Sequence, residues 1–193
     1  ITNKSSGKMG NAVAEQAFLR GAEVFLLRGH NSVEPHYNLQ EDKFTSVNDL
    51  FNKIKKNIKN FDIVIHAAAV SDFEVSNKEN EKIKSRKALH LELNPTTKIL
   101  ENLKKLNKKI FLVGFKAEYH FSRNELIGSA YNLLKSADAD LIVANDVGKE
   151  NVGFDVDTNE VFIVDKNKKV EHVKLSDKRV VADKLLDLIT KMQ

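Results

Sequence analysis

Residues 47–72 read VNDLFNKIKKNIKNFDIVIHAAAVSD, and the change of period inside this stretch decides the fold class. Leu50, Phe51, Ile54 and Ile58 recur at helical spacing. From Phe61 the pattern becomes a short apolar run without alternation, which ends in Ala67-Ala68-Ala69. A helix followed by a strand that is apolar on both faces implies a parallel sheet covered on both sides. Working outward, residues 11–20 place Val13, Ala14, Ala17 and Phe18 on one helical face, closed by Gly21. Residues 23–27 read as a short buried strand, residues 29–42 as loop, and residues 71–87 as a charged stretch without period. A helix is expected from near Pro95 through Ile99, Leu100, Leu103 and Leu106. A strand over 110–115, a helix over 124–135 and a strand over 141–144 continue the alternation. Residues 160–164 and 170–173 flank Asp165-Lys166-Asn167-Lys168 as a hairpin, and Lys178–Met192 is a closing amphipathic helix. The expected fold is α/β: a doubly wound, Rossmann-like, mostly parallel sheet with helices on both faces and a C-terminal β-hairpin plus helix.

The 193 residues suffice for one domain, and 41% apolar with 30% charged residues is a globular composition. No apolar run of 18 residues and no signal peptide are visible, which argues against a membrane. The absence of cysteine excludes disulfides, a thiol nucleophile and Cys-based metal sites. The net charge of +4 raises nucleic acid as a partner. However, Lys55, Lys56 and Lys59 on a helix, and Lys166, Lys168 and Lys169 near a turn, have no aromatic residues among them. They read as solvated surface, and a basic protein that handles anionic metabolites needs no nucleic acid to explain its charge. Ile1 in place of Met suggests part of a longer chain, with a strand of the sheet missing.

In doubly wound sheets ligands bind beyond the carboxyl ends of the strands. Those ends are residues 3–10, 28–29, 67–72, 114–118 and 144–148. Asn3-Lys4-Ser5-Ser6-Gly7-Lys8-Met9-Gly10 opens the first helix, where free N–H groups and the helix dipole favour an anion. It is not a Walker loop, since Met9 follows Lys8 where Ser or Thr is required, and Ser5 breaks a G-x-G-x-x-G pattern. The plain alternative is a capped helix after a tight turn. Ala67 to Asp72 offers small residues for close backbone approach and a carboxylate for a ribose hydroxyl or a metal-bound phosphate; the alternative is a well-packed strand exit. His66 reads as a core histidine. Residues 79–87 offer lysines that could close over a polyphosphate, or a solvated loop. Tyr131 and Lys135 match the spacing of the short-chain dehydrogenase pair, but no glycine fingerprint accompanies them, and Arg28 stands where NAD requires an acid.

Taken together, residues 1–10, 67–72, 81–84, Asn94-Pro95, 113–118, 141–146 and Gly153-Phe154 resemble the phosphopantothenate–cysteine ligase family of coenzyme A biosynthesis, in order and spacing, over essentially the whole chain. The resemblance implies a single ligase domain over 1–193 that lacks its N-terminal strand. It implies a CTP-dependent ligase joining 4′-phosphopantothenate and L-cysteine through an acyl-cytidylate. Asn3 and Lys82 would be catalytic. Ser5, Ser6, Gly7, Ala68 and Ala69 would hold the substrate phosphate, and Asp72, Lys82, Asn94, Pro95, Thr96, Thr97 and Phe115 would line the nucleotide site. Mg²⁺ is implied without an assigned protein ligand, and FMN only in a fused decarboxylase. A homodimer, a cytoplasmic location and no nucleic-acid or membrane partner are further implied. The sequence departs from the family at Thr96 and Thr97, where an Asp-Ile pair is common, and at Leu133 and Ala137, where basic residues are usual. An NADP-dependent reductase and a non-catalytic nucleotide-binding module are the competing readings.

Overall fold

Three parallel and three antiparallel ladders join the strands of the structure, a computed structural model that describes residues 5–76 and 90–193. α1 (Lys8–Leu19) leads to β1 (Phe25–Gly29), β2 (Gln40–Phe44) and α2 (Val47–Asn57). β3 (Ile63–His66) follows, then β4 (Phe73–Val75), β5 (Leu93–Pro95) and α3 (Leu100–Leu106). β6 (Phe111–Glu118), α4 (Arg123–Ala137), β7 (Leu141–Asp146), β8 (Thr158–Asp165), β9 (Val170–Asp177) and α5 (Lys178–Met192) complete the chain. The central sheet has the order β3-β6-β7-β8-β9, parallel from β3 to β7 and antiparallel from β7 to β9. β1 and β2 pair in parallel by themselves, and β4 pairs antiparallel with β5.

Each face of the central sheet buries its own apolar layer. On one side Leu50, Ile54, Leu103, Leu126, Leu134, Ile142 and Phe162 pack beneath α2, α3 and α4. On the other Val13, Val113, Val143, Val161, Val181 and Leu185 pack beneath α1 and α5. β7 is buried along its whole length, which is why it reads as a continuous apolar run. The helix starts follow local chemistry. Ser46 caps α2 through Asp49 N–H, Ser122 and Glu125 form a capping box on α4, and Asp177 caps α5.

Two expectations need correction. Residues 29–42 are not all loop, since β2 begins at Gln40. Its sequence, Gln-Glu-Asp-Lys-Phe, carries one apolar residue and hides the strand from a hydrophobicity reading. The helix expected near Pro95 starts at Leu100, because Pro95 is the last residue of β5 and pairs with Phe73. Pro fits there as it fits a short edge strand.

A cavity of about 1080 Å³ separates β1 from β3. Consecutive residues of both strands line it, Phe25-Leu26-Leu27 and Ile63-Val64-Ile65, so it runs along strand edges as well as faces. Val13 and Ala17 of α1, Ile54 of α2 and Ile189 of α5 close its sides. Among the described residues β1 pairs with β2 alone and β3 with β6 alone.

The backbone of β6 passes under α3 at Gly114, where an added Cβ would meet Leu100 Cδ2 at 2.5 Å and Ile142 Cδ1 at 2.8 Å. Gly114→Ala is therefore expected to cost about 1–3 kcal/mol through overpacking. Chemical-denaturation midpoints measure this, and an unchanged midpoint contradicts the packing described.

Candidate functional site

Among the described α-helices α1 and α3 start without a side-chain cap from the N-cap residue, and in α1 the Lys8 N–H reaches the Ser6 hydroxyl only at 3.5 Å. Gly7 stands at its N-cap with φ +79° and makes no side-chain cap, and no acidic residue occupies the first turn. The Met9 and Gly10 N–H groups of that turn meet no acceptor among the described residues and, with the helix dipole, suit an anion. Gly7 is required here twice over. Its φ is one that L side chains rarely adopt, and an added Cβ would lie 2.7 Å from Ser32 Cβ.

Two loops flank the turn. The loop after β1 joins it through Val33 N–H, which donates to the Ser6 carbonyl at 2.9 Å, and through Asn11 Nδ2, which donates to the Val33 carbonyl at 3.0 Å. Arg28 fastens this loop from beneath. Its buried guanidinium donates to Glu41 at 2.6 and 3.0 Å, to Glu34 at 3.2 Å and to the Ser32 carbonyl at 3.1 Å. The Arg28 partner holds the Glu41 carboxyl below its ordinary range. The second loop, residues 153–157, crosses from the opposite side. Ser6 Oγ donates to the Phe154 carbonyl, and Lys8 Nζ donates to the Asp155 carbonyl at 2.8 Å and to Asp157 Oδ1 at 2.7 Å.

The structure brings most of the expected phosphate-site residues together. Ser5, Gly7, Gly10, Ala68 and Ala69 line the mouth of the cavity between β1 and β3. An added Cβ at Gly10 would be 4.0 Å from Ala67 Cβ, which shows how near α1 lies to the exit of β3. Ser6 is turned away, toward Phe154. His66 lines the same cavity, and burial pushes its pKa down to about 4, so it is neutral at pH 7 and supplies no cation.

The expected nucleotide residues form a second group. Asp72 pairs with Lys98, its carbonyl accepts from Thr96 N–H at 2.9 Å, and Thr96 Oγ1 donates to the Ser71 carbonyl at 2.5 Å. Asn94 and Pro95 face Glu74 and Phe73 across the β4–β5 ladder, and Thr97 is exposed beside them. Phe115 follows the His66–Gly114 pair by one residue and packs on the α1 side of the sheet. Asn3 and Lys82 lie outside the described residues, as do 81–84 and the rest of the charged stretch from 77 to 87. Among the described residues no cluster of three or more His, Asp or Glu side chains is placed to hold a metal, and no helix is long and apolar enough to cross a membrane.

Tyr131 and Lys135 lie far from this rim. Lys135 and the hairpin residue Lys168 both stack on the Tyr131 ring, at 4.9 and 4.8 Å, and that hairpin adjoins Leu141 at the amino end of β7. With Arg28 committed to Glu34 and Glu41, neither feature that suggested a reductase is placed for a cofactor. Leu133 and Ala137 belong to the same remote half of α4, and Ala137 is buried.

The model of the DNA/pantothenate metabolism flavoprotein C-terminal domain matches residues 1–192. The Coenzyme A biosynthesis bifunctional protein CoaBC of Thermococcus kodakarensis is 44% identical over 196 residues, covering 100% of this chain and 47% of that protein. The chain spans about half the length of the curated relatives it matches. Two solved structures are similar over 100% of the chain. The DNA/pantothenate metabolism flavoprotein from Streptococcus pneumoniae has a TM-score of 0.87 at 28% identity, with 91% of its chain covered. The C-terminal domain of a CoaBC protein has a TM-score of 0.81 at 31% identity, with 85% covered.

His66 also predicts a pH dependence. Its folded pKa lies below the ordinary 6.5, so the unfolded chain binds more protons between pH 6.5 and about 4. Stability is thus lost as pH falls through this window, by up to about 3 kcal/mol from this group. The stability of wild type relative to His66→Leu should fall as pH drops from 7 to 4.5, and parallel curves contradict an imidazole held neutral by its surroundings.

Proposed function

The chain belongs to the DNA/pantothenate metabolism flavoprotein C-terminal domain family, and from that premise we propose that it joins 4′-phosphopantothenate to L-cysteine. CTP is the activating nucleotide, and the products are 4′-phosphopantothenoylcysteine, CMP and pyrophosphate. The observation that carries this reading is the uncapped start of α1, with Ser5, Gly7, Ala68 and Ala69 around one cavity mouth. The relatives' names, which refer to coenzyme A biosynthesis, supply the substrate class.

The chemistry is an amide synthesis from a carboxylate, a poor electrophile until it carries a good leaving group. In the first step a carboxylate oxygen attacks the α-phosphorus of CTP and pyrophosphate leaves. Negative charge concentrates there, and Lys82 is the side chain assigned to offset it. In the second step the cysteine nitrogen attacks the acyl carbon, loses a proton, and CMP departs. The amide of Asn3 is assigned to the acyl oxygen that gains charge. Ser5, Ser6 and Gly7 hold the phosphate of phosphopantothenate, with Ala68 and Ala69 alongside. Asp72, Asn94, Pro95, Thr96, Thr97 and Phe115 line the nucleotide. Mg²⁺ is usually bound by one or two carboxylates plus substrate phosphates. Asp72 is the carboxylate in the nucleotide group, and the ion would neutralise the triphosphate there.

The domain is proposed as one ligase unit over 1–193, completed by a parallel strand that enters the cavity between β1 and β3 and leads into the Asn3 turn. The apolar lining, on edges and faces alike, suits such a strand. A homodimer, a cytoplasmic location and a fused FMN-dependent decarboxylase complete the proposal.

In the full-length protein, phosphopantothenate, cysteine and CTP should release CMP and pyrophosphate in equal amounts. Nucleotide binding without release, or tight NADPH binding without CTP binding, contradicts the ligase. Asn3→Asp is expected to release pyrophosphate and retain the acyl-cytidylate, and Lys82→Gln to release neither product. Wild-type turnover by Asn3→Asp removes the role given to Asn3.

A further inference from the structure

Ser6 has one hydroxyl hydrogen, and it is already given to the Phe154 carbonyl. A hydroxyl cannot donate that hydrogen to a phosphate at the same time. If Ser6 left, the Phe154 carbonyl, in a loop whose residues 154, 155 and 157 are exposed, would exchange that donor for Lys178 or for water.

That carbonyl has a second donor nearby. Lys178, the first residue of α5, is 5% exposed, and its Nζ is surrounded by the carbonyls of Gly153 at 3.0 Å, Phe154 at 3.4 Å and Val156. Three acceptors match the three N–H groups of an ammonium one to one. The backbone N–H of Lys178 donates to the Asp157 carbonyl at 2.9 Å, so residue 178 fastens both ends of the loop. A lysine is unfavourable at this position. The positive end of the helix dipole opposes it, and burial followed by the Lys8 ammonium holds its pKa below the ordinary lysine value. Asp157, Asp155 and Asp177 offset this in part, and the three loop carbonyls take up the hydrogens of the ammonium.

We propose that Lys178 is a positioning residue for substrate phosphate: by keeping the Phe154 carbonyl hydrogen-bonded, it frees the Ser6 hydroxyl to turn from the loop to the ligand. The inference rests on the reading that Ser6 contacts the phosphate of phosphopantothenate. Lys178 itself touches no substrate, since its three N–H groups are engaged by the loop. Ser6 is the closer donor to this carbonyl and Lys178 the second, at 3.4 Å; without the ammonium Ser6 is left as its one protein donor among the described residues and is held there, so loss of Lys178 should mimic loss of the Ser6 hydroxyl.

A double-mutant cycle in the full-length protein tests this, with KM for 4′-phosphopantothenate and KM for CTP as separate readouts. Ser6→Ala is expected to raise the phosphopantothenate KM roughly tenfold or more, the worth of a hydrogen bond to a charged group. Lys178→Met should raise it similarly, and the double variant should be within about twofold of Ser6→Ala alone. KM for CTP should stay within about twofold throughout. A merely structural lysine gives additive effects or shifts both KM values together, and either result overturns the inference while leaving the phosphate site intact. An unchanged KM in Ser6→Ala overturns the phosphate reading and the inference with it. Circular dichroism monitors folding, and should Lys178→Met not fold, Lys178→Gln, with two N–H groups for three carbonyls, replaces it in the same cycle.

Discussion

The approach of Gly7 to Ser32 is the contact on which the site depends. A left-handed residue at the N-cap turns the chain into α1 without presenting a side chain to the first-turn N–H groups. The helices that start elsewhere with Ser46, Ser122 or Asp177 spend an oxygen on their own amides. In α1 the N-cap Gly7 offers no such oxygen, and the nearest hydroxyl, Ser6 Oγ, stands 3.5 Å from the Lys8 N–H. That choice is stable because the turn is gripped from both sides, by the loop after β1 through Val33 and Asn11 and by residues 153–157 through Ser6 and Lys8. Each loop is in turn tied down by one buried cation, Arg28 or Lys178. The packing of α1 against α5 and the sheet then fixes the turn at the rim where the parallel strands end.

Much of this was legible in the sequence because period and burial act locally. The alternation of helical and unbroken apolar segments identified the parallel sheet, its two covered faces and the final hairpin and helix. Where side chains do not report burial, the reading failed. β2 is polar at four of five positions and escaped notice, and Pro95, read as a helix start, is instead tolerated in a short edge ribbon. The anion turn was visible as Ser5-Ser6-Gly7 ahead of a helical period, and the small residues 67–69 were visible as a strand exit. The grip on that turn was not visible, since it joins residues about 150 positions apart, such as Ser6 with Phe154 and Lys8 with Asp157. One clue did exist: Lys178 follows the cap residue Asp177, where an acidic residue is favoured and a buried lysine is not.

The charge of the molecule is ordered rather than merely abundant. Lys8 and Lys178, at the starts of α1 and α5, lie beside one short loop, with Lys8 offset by Asp157 and Lys178 by carbonyl oxygens. Asp155 and Asp177 also act on Lys178, so the charges of this loop are balanced by carboxylates and not left basic. His66, neutral at the cavity wall, adds no competing charge.

The most direct measurement is a crystal structure of the full-length protein with 4′-phosphopantothenate bound. The account predicts the phosphate within hydrogen-bond distance of the Ser5 and Ser6 hydroxyls and the first-turn N–H groups of α1, with Ser6 released from Phe154 and Lys178 still in its carbonyl cage. A phosphate seated elsewhere, with Ser6 still on the Phe154 carbonyl, would contradict it.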